Sequence, residues 1–430
     1  MKRASATLAV PLLVAGCVAY EPAPVDWTAE SARLEEAPAR LALSVADVRQ
    51  RAVAFSPELN VLRLARATSE AKADAAGWWE DPSLDIDWLR ILQEPENPFV
   101  WGGSLTFTLP LSGIPGLEKR AAEAYAEADR WALVAAEREA AGEAAVQAVT
   151  ARELKRVNAT IARLLASTNY LAASAAAARL ADAGELSRVE HEQLVADARE
   201  WTRTRQELAH EQFAAEAALR RTLLLAPTCE IDWTDGESVA DFPTNVYAVL
   251  AFTNAPSVRA AVARLSGGEA ELDREIRRQY PELSVGPAYS REEGFDRVGF
   301  TAGLTLPLWN RNRVGIATAR GARDEARQAA IEAWRTAVQK WHELASEAAR
   351  LHADARPSEP LSLEAAERLY AMGELDAPGY VGAVHRFLTE SVAAARWRID
   401  SGSLAERMKS VVEGLEGGEA LGWRFGRRES

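Results

Sequence analysis

The sequence predicts a mainly helical chain that also carries a membrane β-barrel portion of four strands and is internally duplicated. Four short segments alternate apolar and polar residues, which is the period of a strand. Long, proline-free runs rich in alanine, glutamate and arginine predict extended helices. Landmarks that occur twice, in the same order and at nearly one spacing, predict two halves of one pseudo-symmetric body. The paired landmarks are Pro57 with Pro256, Pro82 with Pro281, Pro110 with Pro307, and Gly184 with Gly373.

The chain begins with features of a targeting segment. Lys2 and Arg3 precede an apolar run from Leu8 to Ala15, which is too short to span a bilayer. The run ends in Val-Ala-Gly-Cys17, which looks like a bacterial lipobox, a signal that is cut before the cysteine and acylated with chains such as palmitate. An ordinary signal peptide with a chance cysteine is the alternative. Residue 18 is valine, not aspartate, and the sorting rule for such lipoproteins then implies the outer membrane. We expect a signal peptide at 1–16 and a lipidated tether at 17–43.

The first half predicts a helix, a β-hairpin and two long helices. Ser44 caps a helix that runs from Val45 to about Ala76, and Pro57 can divide it. Strands follow at 84–88 and 103–109, with a loop at 93–98 between them. The next helix, 118–183, contains no proline and would be on the order of 100 Å long. Gly184 ends it, and a second helix covers about 187–225.

The second half repeats this order less regularly. Alternating residues predict strands at 283–289 and 298–306, separated by a charged loop at 291–297. A helix follows from Gly315 to about Ala355, and Pro357 and Pro360 interrupt it. Helix then resumes at 363, turns at Gly373 and returns from about 378 to 415. The predicted domains are repeat 1 at 44–226, a linker at 227–245, repeat 2 at 246–415 and a tail at 416–430.

Four strands are too few to close a membrane barrel. Open sheet edges cannot face lipid, because unpaired backbone groups there cost several kcal/mol each. Membrane barrels have at least about 8 strands, so several chains would have to share one barrel, and three chains would supply 12. A small water-soluble sheet that caps a helical bundle is the alternative.

The composition contains no catalytic signature. The net charge of −13 argues against nucleic-acid binding and favours neutral or cationic cargo, although acidity that serves solubility alone explains it too. No nucleotide-binding loop is present, and the five histidines are scattered without ligand spacing. Three methionines are too few for a methionine ladder that binds copper. The second cysteine, Cys229, has no partner for a disulfide. The sequence therefore predicts no enzyme, no metal site and no cofactor.

Residues 44–415 resemble the TolC-like outer membrane factor family of tripartite efflux and type I secretion channels. The most family-like pieces are Tyr280-Pro-Glu-Leu-Ser284 and Leu304-Thr-Leu-Pro-Leu-Trp-Asn-Arg-Asn-Arg313. They resemble the strand starts and strand-to-helix exits of lipidated members that export cations or drugs. The resemblance implies a homotrimer with a 12-strand barrel in the outer membrane and a long α-helical periplasmic tunnel. The implied partners are a periplasmic adaptor, an inner-membrane pump of the RND or ABC type and outer membrane lipid.

The resemblance also places functional residues at the turns around Gly184 and Gly373, which correspond to tunnel tips that contact the adaptor. An ordinary helix turn with a glycine at its end explains the same residues, and both readings can hold together. Asp376 stands where Ser187 stands, which leaves the polar contact there open. Carboxylates near the tips could ring the periplasmic entrance, with a solvated turn as the alternative. The tip residues are Arg179, Leu180, Gly184, Glu185, Leu186, Ser187, Arg368, Leu369, Gly373, Glu374 and Leu375, and the entrance carboxylates are Asp182, Glu185, Glu374 and Asp376.

The expected function is that of a passive exit duct in the outer membrane of a Gram-negative bacterium, which exports small molecules or metal cations received from the pump and adaptor. A periplasmic helical scaffold lipoprotein without a pore is the alternative function. The pump and the adaptor would choose the cargo, so the sequence of the duct leaves the cargo open.

Overall fold

The computed structural model describes residues 20–35, 38–90, 99–234, 242, 248–292, 295–304, 306, 308–353 and 362–416. In this part the chain is mainly helical, with two separate sheets. The α-helices are α1 (Trp27–Glu35), α2 (Val45–Phe55), α3 (Pro57–Ala75), α4 (Ile114–Leu165), α5 (Thr168–Asp182), α6 (Arg188–Thr222), α7 (Pro256–Arg277), α8 (Arg313–Ala353), α9 (Leu363–Ala371) and α10 (Ala377–Glu416). The strands are β1 (Arg40–Leu43), β2 (Ser83–Arg90), β3 (Phe99–Leu109), β4 (Glu230–Trp233), β5 (Leu283–Glu292) and β6 (Phe295–Leu304), and a 3₁₀ helix covers Val249–Asn254.

The first helices begin as the sequence predicts. Ser44 accepts a hydrogen bond from the Asp47 amide at 3.0 Å, and the Asp47 carboxylate accepts one from the Ser44 amide at 2.9 Å. This capping box satisfies amides that have no partner inside the helix, so α2 begins there. Pro57 stands at the first position of α3, where a missing amide hydrogen costs nothing. Pro57 therefore divides the predicted helix into two.

Helix α4 is the central element of the helical body and packs against α2, α3, α6, α7 and α10. Its buried positions include fully covered alanines, which let neighbouring helices approach closely. Larger side chains fill three clusters along the body. The cluster nearest the interhelical turns includes Leu154, Ile161, Tyr170, Leu208, Tyr380, Val384 and Leu388.

The four-stranded sheet has the order β2-β3-β5-β6, and all its pairs are antiparallel. Within each hairpin the register is continuous, from Ser83 opposite Thr106 to Arg90 opposite Phe99, and from Leu283 opposite Leu304 to Glu292 opposite Phe295. The two hairpins meet through β3 and β5. The four predicted strands are thus confirmed as one sheet at the end of the helical body.

Two of the predicted elements are wrong in detail. The single helix at 118–183 is divided, because Ala166 ends α4 and Ser167 caps α5 by accepting from the Tyr170 amide. The predicted loop at 291–297 is mostly strand. Its charged side chains pair across the hairpin, with Arg297 Nη1 at 2.6 Å from Glu292 Oε2, so charge here does not indicate a turn.

Two regions contain structure that the sequence did not suggest. The predicted tether includes α1 and β1, and the predicted linker includes β4. Strands β1 and β4 pair in parallel, with Leu41 opposite Ile231. Lys155 of α4 donates to the carbonyl of Ile231 at 2.6 Å and thereby fixes this small sheet to the helical body. The boundaries of the tether and of the linker remain predictions.

None of the described helices combines the length and the apolar character that crossing a bilayer requires.

Candidate functional site: the exposed sheet and the two interhelical turns

The four-stranded sheet has two chemically different faces. Residues directly opposite each other in the register lie on the same face of a sheet. One face is apolar along its whole width and the other carries mainly small and hydroxyl side chains. The apolar face includes Leu84, Ile86, Trp88, Trp101, Leu105, Phe107, Val285, Tyr289, Val298, Phe300 and Leu304, and the polar face includes Asp85, Asp87, Ser104, Thr106, Ser284, Ser290, Gly299 and Thr301.

The apolar face is exposed to solvent in the single chain. Ile86 is 73% exposed, Val298 84% and Phe300 89%. Exposed apolar patches of this kind mark contact with lipid or with another protein. Strands β2 and β6 also pair on one side only within the described chain, so both sheet edges keep a row of unpaired backbone groups.

Polar contacts at the far end of the second hairpin extend its strands. The Tyr289 hydroxyl donates to Asp296 at 2.6 Å, and Arg297 pairs with Glu292. Further along β5, Pro287 has no amide hydrogen to donate. The pairing between β3 and β5 is interrupted at this residue.

The strand-to-helix exit after β6 has an unusual backbone. Arg311 and Asn312 have φ angles of 45° and 49°, which non-glycine residues rarely adopt. The Asn312 amide nitrogen donates to the main-chain oxygen of Glu275 at 2.9 Å and to its carboxylate at 2.7 Å. These bonds to α7 hold the exit in place and explain why asparagine stands in this motif.

The turn between α5 and α6 is a compact left-handed helix end. Gly184 has a φ of 79°, which glycine adopts without strain. The carbonyl of Leu180 accepts from the amides of Glu185 at 2.9 Å and Leu186 at 3.1 Å. Ser187 then caps α6 and forms a capping box with Glu190. The predicted tip residues 179–187 therefore form one continuous hydrogen-bonded turn.

The turn between α9 and α10 has the same hydrogen bonds. Gly373 has a φ of 75°, and the carbonyl of Leu369 accepts from the amides of Glu374 at 2.9 Å and Leu375 at 3.2 Å. Asp376 replaces Ser187 in the same capping role, because its carboxylate accepts from the Gly379 amide at 2.9 Å. At this position the side chain has changed, but the polar contact that caps the helix is retained.

A groove with a mainly apolar lining runs along each of the two helix pairs. The groove between α5 and α6 has a volume of ≈ 250 Å³ and is lined by Ala177, Leu194 and Val195 among others. The groove between α9 and α10 has a volume of ≈ 260 Å³, and Leu363, Ala366, Leu369, Leu375 and Phe387 are among its lining residues. Both helix pairs contribute to one core cluster, so the two turns belong to the same end of the body.

The four predicted entrance carboxylates are all exposed. Within the described chain, Asp182, Glu185 and Glu374 have no ion-pair partner, whereas Asp376 accepts the capping hydrogen bond. The fold thus places two of these carboxylates at each turn.

The remaining predicted positions carry less information. Cys17, residues 91–98 and Pro357 and Pro360 lie outside the described residues. Cys229 is buried, and burial raises the pKa of its thiol. Among the described residues, no three His, Cys, Asp or Glu side chains converge as a metal site would need.

Sequence reasoning missed two buried polar contacts. Glu153 on α4 is 1% exposed, and its carboxylate lies 3.1 Å from Arg152 Nε, 3.3 Å from Arg156 Nη1 and 2.9 Å from Arg398 Nε of α10. The Tyr170 hydroxyl lies 2.9 Å from Nε2 of His385. Arg398 is 245 residues from Glu153, and His385 is 215 residues from Tyr170, so no local spacing predicts these two contacts.

Solved structures with similar folds include several outer membrane channels. The Campylobacter jejuni CmeC outer membrane channel has a TM-score of 0.66 and 14% identity, covering 87% of this chain and 87% of that one. The Vibrio cholerae outer membrane protein VceC has a TM-score of 0.64 and 16% identity, covering 87% and 96%. The open state of the Neisseria gonorrhoeae MtrE outer membrane channel has a TM-score of 0.62 and 15% identity, covering 86% and 89%.

No family model and no curated protein matches the sequence. The structural likeness extends over most of the chain, so the resemblance predicted from the sequence is confirmed at the level of the fold.

Proposed function

We propose that this chain, which has the fold of TolC-like outer membrane channels, is itself an outer membrane exit duct of a tripartite efflux system. Three copies would share one 12-strand barrel and continue it as a helical tunnel. The exposed apolar face of the sheet is the single observation that carries this proposal, because lipid is the surrounding that such a face fits.

The dimensions of the sheet suit a membrane. Strand β6 has 10 residues and would be about 33 Å long, or about 25 Å tall when tilted by about 40°. The apolar band of an outer membrane barrel is also about 25 Å tall. Two exposed tryptophans, Trp88 in the second half of β2 and Trp309 in the exit that follows β6, fit the aromatic girdles at the two interfaces.

The open edges of the sheet require further copies. An unpaired strand edge in lipid costs several kcal/mol per backbone group, so β2 of one chain has to pair with β6 of a neighbour. The internal duplication predicted from the sequence fits the same arrangement, because each half supplies one hairpin and a set of long helices. Helix α4 alone has 52 residues, which is about 78 Å, and this length supports a tunnel into the periplasm.

The two turns are the proposed contact sites for a periplasmic adaptor. Their shared hydrogen bonds, the mainly apolar grooves along their helix pairs and the exposed carboxylates together provide a surface for helical hairpins. Energy and cargo selection come from an inner-membrane pump, so the duct is passive. The lipobox at Cys17 supports an acyl anchor in the outer membrane.

The test is to purify the full chain in detergent and to insert it into planar bilayers. We expect trimers by mass measurement and ion conductance once the turn end is opened. A protein that is monomeric without detergent and conducts no ions would refute the duct and favour the scaffold alternative.

The entrance carboxylates are tested by reversal potentials in a salt gradient. Replacing Glu185 and Glu374 by glutamine should lower the preference for cations if three copies form a ring. Glu207→Gln, an exposed carboxylate on α6, is the matched control. If the Glu185 and Glu374 variant has the same ion selectivity as the Glu207→Gln control, the two carboxylates do not form a selective ring and belong to solvent-exposed turns.

A further inference from the structure

A buried polar contact joins three helices near the turn end of the body. His385 of α10 and Tyr170 of α5 are each 6% exposed, and the Tyr170 hydroxyl lies 2.9 Å from Nε2 of the imidazole. On the other side of the ring, Nδ1 lies 3.7 Å from the carboxylate of Asp197 on α6. Asp197 is 59% exposed, so water reaches its carboxylate but not the imidazole.

The neighbours of His385 favour one neutral tautomer of its imidazole, the one with the hydrogen on Nδ1. If Nδ1 carries the hydrogen, it faces a carboxylate, and Nε2 is free to accept the Tyr170 hydroxyl. The opposite tautomer would place a lone pair against the charge of Asp197. At 3.7 Å the distance from Nδ1 to the carboxylate is too long for a hydrogen bond, and Nδ1 has no other partner in the described structure.

Asp197 is the one charged group that contributes to the pKa shift of His385 within the described residues. Helix α4 contributes Leu154, Val157 and Ile161 to the same cluster. On α10 itself the positions one turn away are Val381, Gly382, Leu388 and Thr389. The other titratable members of the cluster are Tyr370 and Tyr380, which stack on each other at 4.6 Å. An imidazolium here would therefore exchange water for apolar neighbours and a single carboxylate.

The three side chains of this contact lie on the helices that lead to or from the two interhelical turns. Tyr170 lies in the first turn of α5, just below the break at Ala166 and Ser167, and α5 leads to the turn at Gly184. Asp197 lies on the helix that returns from that turn, and His385 lies on the helix that leaves the turn at Gly373. The three side chains thus link the two helix pairs that carry the turns.

We propose that Tyr170, His385 and Asp197 form an acid-sensitive latch, which holds α5 and α6 against α10 at neutral pH and releases them when His385 is protonated. Protonation places a hydrogen on Nε2, so the Tyr170 hydroxyl would have to turn and accept instead of donating. It also buries a positive charge among apolar neighbours, which disfavours the latched state. The latch needs only the contacts of one chain, but its use in loosening the turn end of a duct rests on the proposed function.

The direction of the pH effect follows from the protonation states. Burial lowers the pKa of His385 below its ordinary value, and the charge of Asp197 opposes this shift. A released histidine titrates near its ordinary value of about 6.5. Below that pH the released state binds more protons, so the latch weakens by up to about tenfold per pH unit until the lowered pKa is passed.

The latch is tested by amide hydrogen exchange of the full chain in detergent between pH 7.5 and pH 5.0, after correction for intrinsic exchange rates. In the wild type, the protection of α5 should fall by up to about tenfold per pH unit below about pH 6.5. His385→Gln can still bond Tyr170 but does not titrate, so the protection of α5 should not change with pH. His210→Gln, an exposed histidine on α6, is the matched control and should behave as the wild type.

A second variant keeps the test decisive if His385→Gln does not fold. Asp197→Asn removes an exposed charge that raises the pKa of His385 in the latched state, so the loss of protection should begin at the same pH but continue to a lower pH before it levels off. For this comparison the titration of both proteins is continued until the protection levels off. A wild type without a pH-dependent loss, a loss in Asp197→Asn that levels off at the same pH as in the wild type, or a wild-type response in His385→Gln would each overturn the latch. Conductance is measured separately, so a failed duct and a failed latch are distinguishable.

Discussion

The exposed sheet face allows a prediction that separates a membrane barrel from a soluble sheet. Phe300 and Thr301 are neighbours on β6 but point to opposite faces. Phe300 belongs to the apolar face and is 89% exposed, and Thr301 belongs to the polar face opposite Gly286. We compare Phe300→Lys with Thr301→Lys, because both introduce the same charge at nearly the same depth.

The magnitude follows from the position along the strand. β6 spans residues 295–304, so Phe300 lies next to its middle and close to the midplane of a bilayer. A lysine on the lipid face there costs about 2–4 kcal/mol, or about 30- to 900-fold in the folding equilibrium. On the lumen side the same charge meets water, so Thr301→Lys should change mainly ion selectivity. On a soluble sheet both changes stay within about 0.5 kcal/mol, because both sites contact water.

The assay is the folding equilibrium of each variant in lipid vesicles, measured by urea titration of the tryptophan fluorescence. Folded yield in outer membrane fractions is an independent readout. Equal stabilities of Phe300→Lys, Thr301→Lys and the wild type would refute the assignment of the apolar face to lipid. A larger loss for Thr301→Lys than for Phe300→Lys would show that the two faces have been interchanged.

Three further predictions concern the helical body. Gly184→Ala and Gly373→Ala should each cost about 1–2 kcal/mol in denaturant titrations, because the backbone is left-handed although no atom lies within 4 Å of an added Cβ; unchanged midpoints would contradict this. Glu153→Gln should cost about 3–5 kcal/mol, since it removes a buried charge that pairs with Arg152, Arg156 and Arg398, whereas Glu211→Gln removes an exposed pair with Arg396 and should cost less than about 1 kcal/mol. Similar losses for both would argue against this difference in burial. Asp376→Ala should cost about 1 kcal/mol and Asp376→Ser almost nothing, as judged by thermal unfolding; equal losses would exclude the capping role.

The elements of the fold that sequence predicts best are those with a local signal. The alternation in β2 and β6 and the helix cap at Ser44 each involve residues that are close together in the sequence, and the structure confirms them. The glycines at 184 and 373 predict the turns for the same reason. The hydrogen bonds of these turns use only residues within six positions of each other.

The features that the sequence did not predict depend on distant residues or on weak local signals. Arg297 and Glu292 resemble loop residues in sequence, but they pair across the hairpin and continue the strands. The break before Ser167 lies in an alanine-rich run without glycine or proline, and a single serine cap is a weak signal there. His385 is one of five scattered histidines until the fold places Tyr170, 215 residues away, beside it. Such contacts depend on helix packing, which no short motif encodes.

The parallel pair of β1 and β4 has a consequence for the order in which the chain folds. Arg40 and Asp232 form an ion pair across it, although they are separated by 192 residues. Closing a loop of that length costs about 4–5 kcal/mol in chain entropy, which two four-residue strands cannot offset alone. The pair therefore has to wait until α4 and α6 have assembled the apolar surface that covers Leu43 and Ile231. Pulse labelling during refolding should show these amides gaining protection after those of α4. The segment that precedes residue 40 is therefore fixed to the helical body only after the long helices of the first half have packed.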